Sequence, residues 1–259
     1  MFLFDLPVHG CNGRSEAPTW SWSGWIELTI RRPIWTVVLL CQTFLAQQRL
    51  RSEPVAFLSI RTNVLGMSRP SHREKILTTG LQVVHQRGFA GASVRDIVQA
   101  AGVPQGSFTN HFASKEAFGL EIIELYLANS RRSMAETLLN DSLPPLQRLG
   151  AYIEASKNRL NKDSMRNGCL FGNFTAEASD HSEIIRIRLV EIFAEIQSAF
   201  AYCLKAAVKA GELPAKFKCE EVAAFIVSSL QGANLLAKAQ RSPVAVERFK
   251  RILFTTILR

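Results

Sequence analysis

The stretch SVRDIVQAAGVPQGSFTNHFASKE, residues 93–116, reads as two short helices joined by a tight turn. Ser93 and Asp96 make a start like a capping box: the serine oxygen accepts a first-turn N–H, and Asp96 stands where Glu or Gln is usual. Val94, Ile97, Val98 and Ala101 then recur at helical spacing and give one apolar face. Gly102 supplies the permissive backbone that ends this helix, and Val103 packs under the turn. Pro104 lies at or near the first position of the next helix, where its missing N–H costs nothing. Phe108 and Phe112 fall four apart and point inward. Gln105, Ser107, Thr109, Asn110 and His111 are left for the outer surface, and Gly106 lets backbone approach a phosphate closely.

Two helices with a small, polar outer face on the second are the layout of a helix-turn-helix, whose second helix enters the major groove of DNA. Ser114 and Lys115 restart a helix and set free N–H groups and a cation where a phosphate would sit. The competing reading is a surface turn between two structural helices. Against it stands the joint pattern, preceded by a capped helix from Ser71 to Gly88.

Taken with its flanks, EKILTTGLQVVHQRGFAGASVRDIVQAAGVPQGSFTNHFASKEAF resembles the DNA-binding domain of the TetR (tetracycline repressor) family, over about residues 71–118. The resemblance implies an all-α homodimer: a three-helix helix-turn-helix domain on each subunit, and a helical ligand-binding and dimerisation domain. It implies that Gln105, Gly106, Ser107, Thr109 and Asn110 face the groove, while Ser93, His111 and Lys115 hold phosphates. Thr109 departs from the family, which mostly carries Tyr there. The partner is then a roughly palindromic double-stranded operator, and the protein is a cytoplasmic regulator, not an enzyme.

Composition is compatible with this. A formal net charge of +9 suits a polyanion. Cysteines 11, 41, 169, 203 and 219 show no metal-ligand pairing, so no metal or cofactor is expected, and their irregular spacing suits reduced thiols. Residues 1–66 differ from the rest: all four tryptophans (Trp20, Trp22, Trp25, Trp35) lie there, and the apolar run Ile34–Ala46 is too short for a membrane span of about 20 residues. These residues read as an extension upstream of a start at Met67, with a poorly ordered or membrane-touching arm as the alternative and no stable membrane association expected. Residues 67–116 then form the helix-turn-helix domain, and 117–259 the regulatory and dimerisation domain.

Beyond Lys115 the pattern is helical: about 115–139, 145–163, a short element near 169–179, a helix opened by Asp180 and Glu183 and ended by Gly211, then about 220–238, and a last one opened by Ser242-Pro243. Val222, Ile226, Ser229, Leu230, Ala233 and Ala237, with Val246, Phe249, Ile252, Leu253 and Ile257, form stripes that suit either an intrachain core or a partner. The family resemblance implies the dimer interface.

Asn167-Gly168-Cys169-Leu170-Phe171-Gly172-Asn173 puts a thiol at a helix start, where the dipole favours thiolate. With TAEASDHSE and GANLLAKAQRS, it resembles the electrophile-sensing, N-ethylmaleimide-responsive branch of the family. That resemblance implies a sensing role for Cys169, with Lys238 close to it; a small buried filler is the alternative. Tyr152, Phe171, Phe174, Tyr202 and Phe225 are the aromatic residues that would line a pocket for an apolar effector, or fill the core. His85 is expected on the exposed side of its helix. A thiol enzyme built on Cys169 would need a positioned base, and no His-Cys pairing supports one.

Overall fold

Ser71 and Ser93 begin helices by the same local device. In each, the serine Oγ accepts the backbone N–H three residues on, and the acid there accepts the serine N–H: Ser71 with Glu74 at 3.2 and 2.8 Å, Ser93 with Asp96 at 3.1 and 3.0 Å. The helices they open are α1 (His72–Arg87) and α2 (Val94–Ala100). Ser93→Ala is therefore expected to cost about 1 kcal/mol, read as a shift of the urea midpoint.

The computed structural model describes residues 70–259. The expected extension, its tryptophans, Cys11, Cys41 and the start at Met67 fall outside the described residues. Among these, the remaining helices are α3 (Gly106–His111), α4 (Lys115–Glu136), α5 (Pro145–Asn161), α6 (Leu170–Ala178), α7 (Glu183–Lys209), α8 (Cys219–Gln240) and α9 (Val244–Ile252), the last running into a π-helical turn over Leu253–Ile257. No strand occurs among the described residues, so the architecture is the all-α one expected.

α1, α2 and α3 pack together and against the start of α4. Phe118 of α4 is fully buried there, with the rings of Phe108 and Phe112 both 5.2 Å away. Gly80 lets α1 lie on this cluster, because a Cβ there would come within 2.5 Å of Phe118 Cζ. The longer helices form the second layer, with α7 and α8 paired most extensively and α9 on α8 and α5. α7 opens at Ser182, whose hydroxyl caps the Ile185 N–H at 3.2 Å, two residues after the Asp180 expected to mark it.

Of the stripes expected at a dimer interface, Ile226, Leu230, Ala233, Ala237, Val246 and Leu253 are buried within one chain, Val222, Ser229, Phe249 and Ile257 are half-buried, and Ile252 is exposed. α8 is long and apolar enough to meet the length and composition of a membrane span, and one third of that stretch is buried inside the chain. The large apolar side chains left outside include Ile184, Ile187 and Val190 on α7, Phe225, Leu235 and Leu236 on α8, and Val244 and Ile252 on α9. Helical periodicity locates an apolar face and is silent on what covers it.

Candidate DNA interface and effector site

The turn between α2 and α3 follows from three residues. Gly102 takes a φ of +63°, the Val103 N–H returns to the Val98 carbonyl at 3.1 Å, and the Pro104 carbonyl accepts the Ser107 N–H at 2.9 Å. α3 is thereby presented with Phe108 and Phe112 inward and Gln105, Gly106, Thr109, Asn110 and His111 exposed. Thr109 Oγ1 donates to the Gly106 carbonyl at 3.1 Å, which draws this short side chain back onto its own helix. Ser107 departs from the expected surface set. It is buried against α1, its Oγ 3.4 Å from His72 Nδ1, because α3 makes less than two turns and the Phe108 side covers it.

The two flanking residues are already engaged within the chain. The Ser93 hydroxyl is the cap of α2. Lys115 Nζ lies 4.9 Å over the Phe89 ring and donates to the Ala90 carbonyl at 3.3 Å, and desolvation there lowers its pKa. Arg95, which sequence reasoning passed over, is exposed on α2 beside this surface.

Cys169 is the N-cap of α6 and half-buried. Before it, Gly168 has a φ of +70°, and a Cβ there would lie 2.9 Å from Lys238 Cδ, so glycine is required both by the backbone and by the lysine stem. Lys238 Nζ donates to Asn173 Oδ1 at 3.0 Å, and Asn173 Nδ2 donates to the Asn167 carbonyl at 2.8 Å. Cys169 and Lys238 share the wall of a cavity of about 770 Å³ between α6, α7 and α8. In the other described cysteines, burial pushes the Cys203 thiol up to about 11 and the Cys219 thiol upward too.

The expected aromatic lining is corrected. Phe171 and Phe174 are core residues, and Tyr152 and Phe171 border only a small recess of about 40 Å³ deeper in. Tyr202 is 45% exposed, with its hydroxyl on Asp141 at 2.9 Å, and Phe225 is 46% exposed; neither reaches the large cavity. Its aromatic wall is Phe193, and Gln197, Gln231 and Asn234 add amides, of which only Asn234 falls in a motif singled out in the sequence, GANLLAKAQRS.

α6 also grips the helix-turn-helix layer. His85 of α1 is not free on an exposed side: its Nε2 N–H donates to the Gly168 carbonyl at 2.9 Å, and its ring stands edge-on to Tyr126, 5.7 Å away. Phe89 packs on Phe174 at 4.8 Å, and Glu177 Oε2 accepts the Ala90 N–H at 3.0 Å. Gly168 ahead of α6 is thus fastened to α1, and Phe174 and Glu177 within α6 to the segment between α1 and α2.

Burial lowers the His85 pKa, outweighing the Gly168 carbonyl that raises it. A depressed histidine favours the folded state fully above its ordinary value, and that contribution is lost as pH falls through the depressed one. Thermal stability should therefore drop on going from pH 7.5 to acid, and drop less in His85→Phe, measured as melting temperature against pH.

Comparison with known proteins agrees with this arrangement. Residues 76–122 match the bacterial regulatory proteins of the tetR family, and residues 145–253 match the tetracyclin repressor-like C-terminal domain. The HTH-type transcriptional repressor DhaR of Mycobacterium sp. (strain GP1) is 35% identical over 192 residues, covering 74% of this chain and 95% of DhaR. The chain belongs to the TetR family. It is a DNA-binding transcriptional regulator of the repressor type, and not an enzyme. Among solved structures, the reduced form of Escherichia coli NemR superposes with a TM-score of 0.64 at 30% identity, over 70% of this chain and 93% of that one. A cysteine-substituted CifR bound to 26-base-pair double-strand operator DNA gives 0.62 at 26% identity, over 72% and 98%.

Proposed function

We propose that this TetR-family protein binds a palindromic operator as a homodimer and releases it when Cys169 is alkylated or oxidised. The observation that carries the reading is that Cys169 caps α6 on the cavity wall, between Gly168, which holds His85 of α1, and the α6 residues Phe174 and Glu177, which hold Phe89 and Ala90 just after α1. A quinone entering the cavity would take the Cys169 sulfur at a ring carbon. The C–S bond forms as the C=C pair moves toward the carbonyl oxygen, which takes the thiol proton, and the hydrogen of the attacked ring carbon then shifts to the second oxygen to give a hydroquinone thioether. The bulk added beside Gly168 then displaces its carbonyl from His85, and the reading heads lose their operator spacing.

On the DNA side, Gln105, Gly106, Thr109 and Asn110 face the groove with His111 at the backbone; Ser93 and Lys115 act through their positions at the helix starts. The homodimer face is the exposed apolar surface of α7 and α8 around Val190 and Leu236, which water would otherwise cover. Residues 67–116 serve as the DNA-binding domain and 117–259 as the regulatory one, in the cytoplasm.

A second reading, release by an apolar molecule held without covalent chemistry, is favoured by the volume of the cavity, which lies within the range of small-molecule sites. A reporter behind the protein's own upstream DNA separates the two. Benzoquinone should raise expression with the wild type and leave Cys169→Ser repressed; equal induction with both would favour the second reading.

A further inference from the structure

The polar groups around the large cavity are not equivalent. Lys238 is held by Asn173, Asn173 by Asn167, and Glu177 by the Ala90 N–H. Thr175 donates to the Phe171 carbonyl, and Ser228 donates into its own helix. Asn234 is different. It is 4% exposed, and its Oδ1 is the one fully buried side-chain nitrogen or oxygen among the described residues without a hydrogen-bond partner. It stands where the large cavity meets the smaller recess, bordering both along with Cys169, Val227 and Gln231. A buried acceptor left unpaired is costly, and a protein retains one where a partner from outside supplies the donor.

We infer that the cavity binds an uncharged, largely apolar molecule carrying one hydroxyl or N–H, which donates to Asn234 Oδ1 while the apolar body lies against Phe193, Val227 and Leu235. An uncharged ligand is favoured because the accessible surface of the lining is mostly apolar, with Lys238 its one cation and Glu177 its one carboxylate. A phenol fits this description: its ring fills apolar space and its O–H is a strong donor in the plane of the ring. Held with that O–H on Asn234, it places the ring beside Cys169, since both residues border the same space. The inference deepens the reading of the cavity as the effector site and makes recognition of the ligand independent of thiol chemistry.

A matched pair of unreactive probes tests it. Calorimetric titration of the full chain with 4-tert-butylphenol and with 4-tert-butylanisole compares one apolar body with its donor present or capped. The phenol should bind the wild type about tenfold more tightly, the worth of one hydrogen bond to a buried neutral acceptor. Asn234→Leu, of similar volume, should reduce phenol affinity to that of the ether and leave the ether's own affinity little changed. Cys169→Ser should keep the preference for the phenol over the ether, so loss of quinone sensitivity and loss of this site are separate results. Equal binding of phenol and ether by the wild type, which requires no variant to fold, would overturn the inference. So would failure of both to bind at millimolar concentration, or a folded Asn234→Leu that keeps the full preference.

Discussion

Phe118→Ala is expected to destabilise the protein by about 3–5 kcal/mol, the range for emptying a fully packed phenylalanine site. Phe118 is 0% exposed and touches the ring pair of α3 from the first turn of α4, with Gly80 of α1 and Ile97 of α2 closing the other sides. One side chain therefore joins all three helices of the reading head to the helix that leaves it. Against a total stability of about 5–15 kcal/mol for a typical domain, such a loss frees α3 from its orientation. Operator binding should disappear even where much of the α7–α8 layer stays helical by circular dichroism. Phe118→Leu keeps most of the volume and should cost no more than ~1.5 kcal/mol. Urea denaturation of the two variants is the check; a cost under ~1 kcal/mol for the alanine variant would mean the triad is not the keystone of the head.

Leu236→Glu should split the proposed dimer. Leu236 is half exposed on α8, and a two-fold axis through this face places the substitution in the interface twice. Two carboxylates brought together without cations are destabilising by roughly 3 kcal/mol or more, which is on the order of a 100-fold rise in the dimer dissociation constant. Sedimentation at micromolar concentration should show monomer, and operator affinity should fall with it, because a single head contacts only one half-site. Ile226→Glu makes the contrast. Ile226 is buried inside the chain, so its substitution should unfold the protein and not merely separate subunits. A Leu236→Glu variant that stays dimeric would move the interface elsewhere.

What the sequence disclosed was local. Capping at Ser71 and Ser93, the Gly102 turn and the inward pair Phe108 and Phe112 are written in neighbours three or four apart, and the structure forms them as read. Interactions between distant segments were illegible. His85 looked like a surface residue because its partner, Gly168, is 83 positions away. Asn234 falls within GANLLAKAQRS, but only the tertiary packing of α6, α7 and α8 shows that its carbonyl is buried without a donor. The same limit explains the aromatic residues: Tyr202 and Phe225 have the chemistry of a pocket lining, and helix rotation turns both outward. Ser107 shows that polarity alone does not assign a residue to the outer face of so short a helix. Cys169 and Lys238 were singled out by resemblance, and their common cavity wall is a fact of the fold that periodicity does not contain.

The most direct test of the account is the affinity of the full chain for its own upstream DNA, measured by fluorescence anisotropy before and after one equivalent of benzoquinone, for the wild type and Cys169→Ser. The account predicts that both bind the operator equally when untreated, and that quinone weakens the wild type by about 100-fold, a coupling energy of about 2.7 kcal/mol within the range of allosteric switches. Cys169→Ser should keep its affinity. Release of both proteins alike, or of neither, would contradict a switch built on the Cys169 thiol.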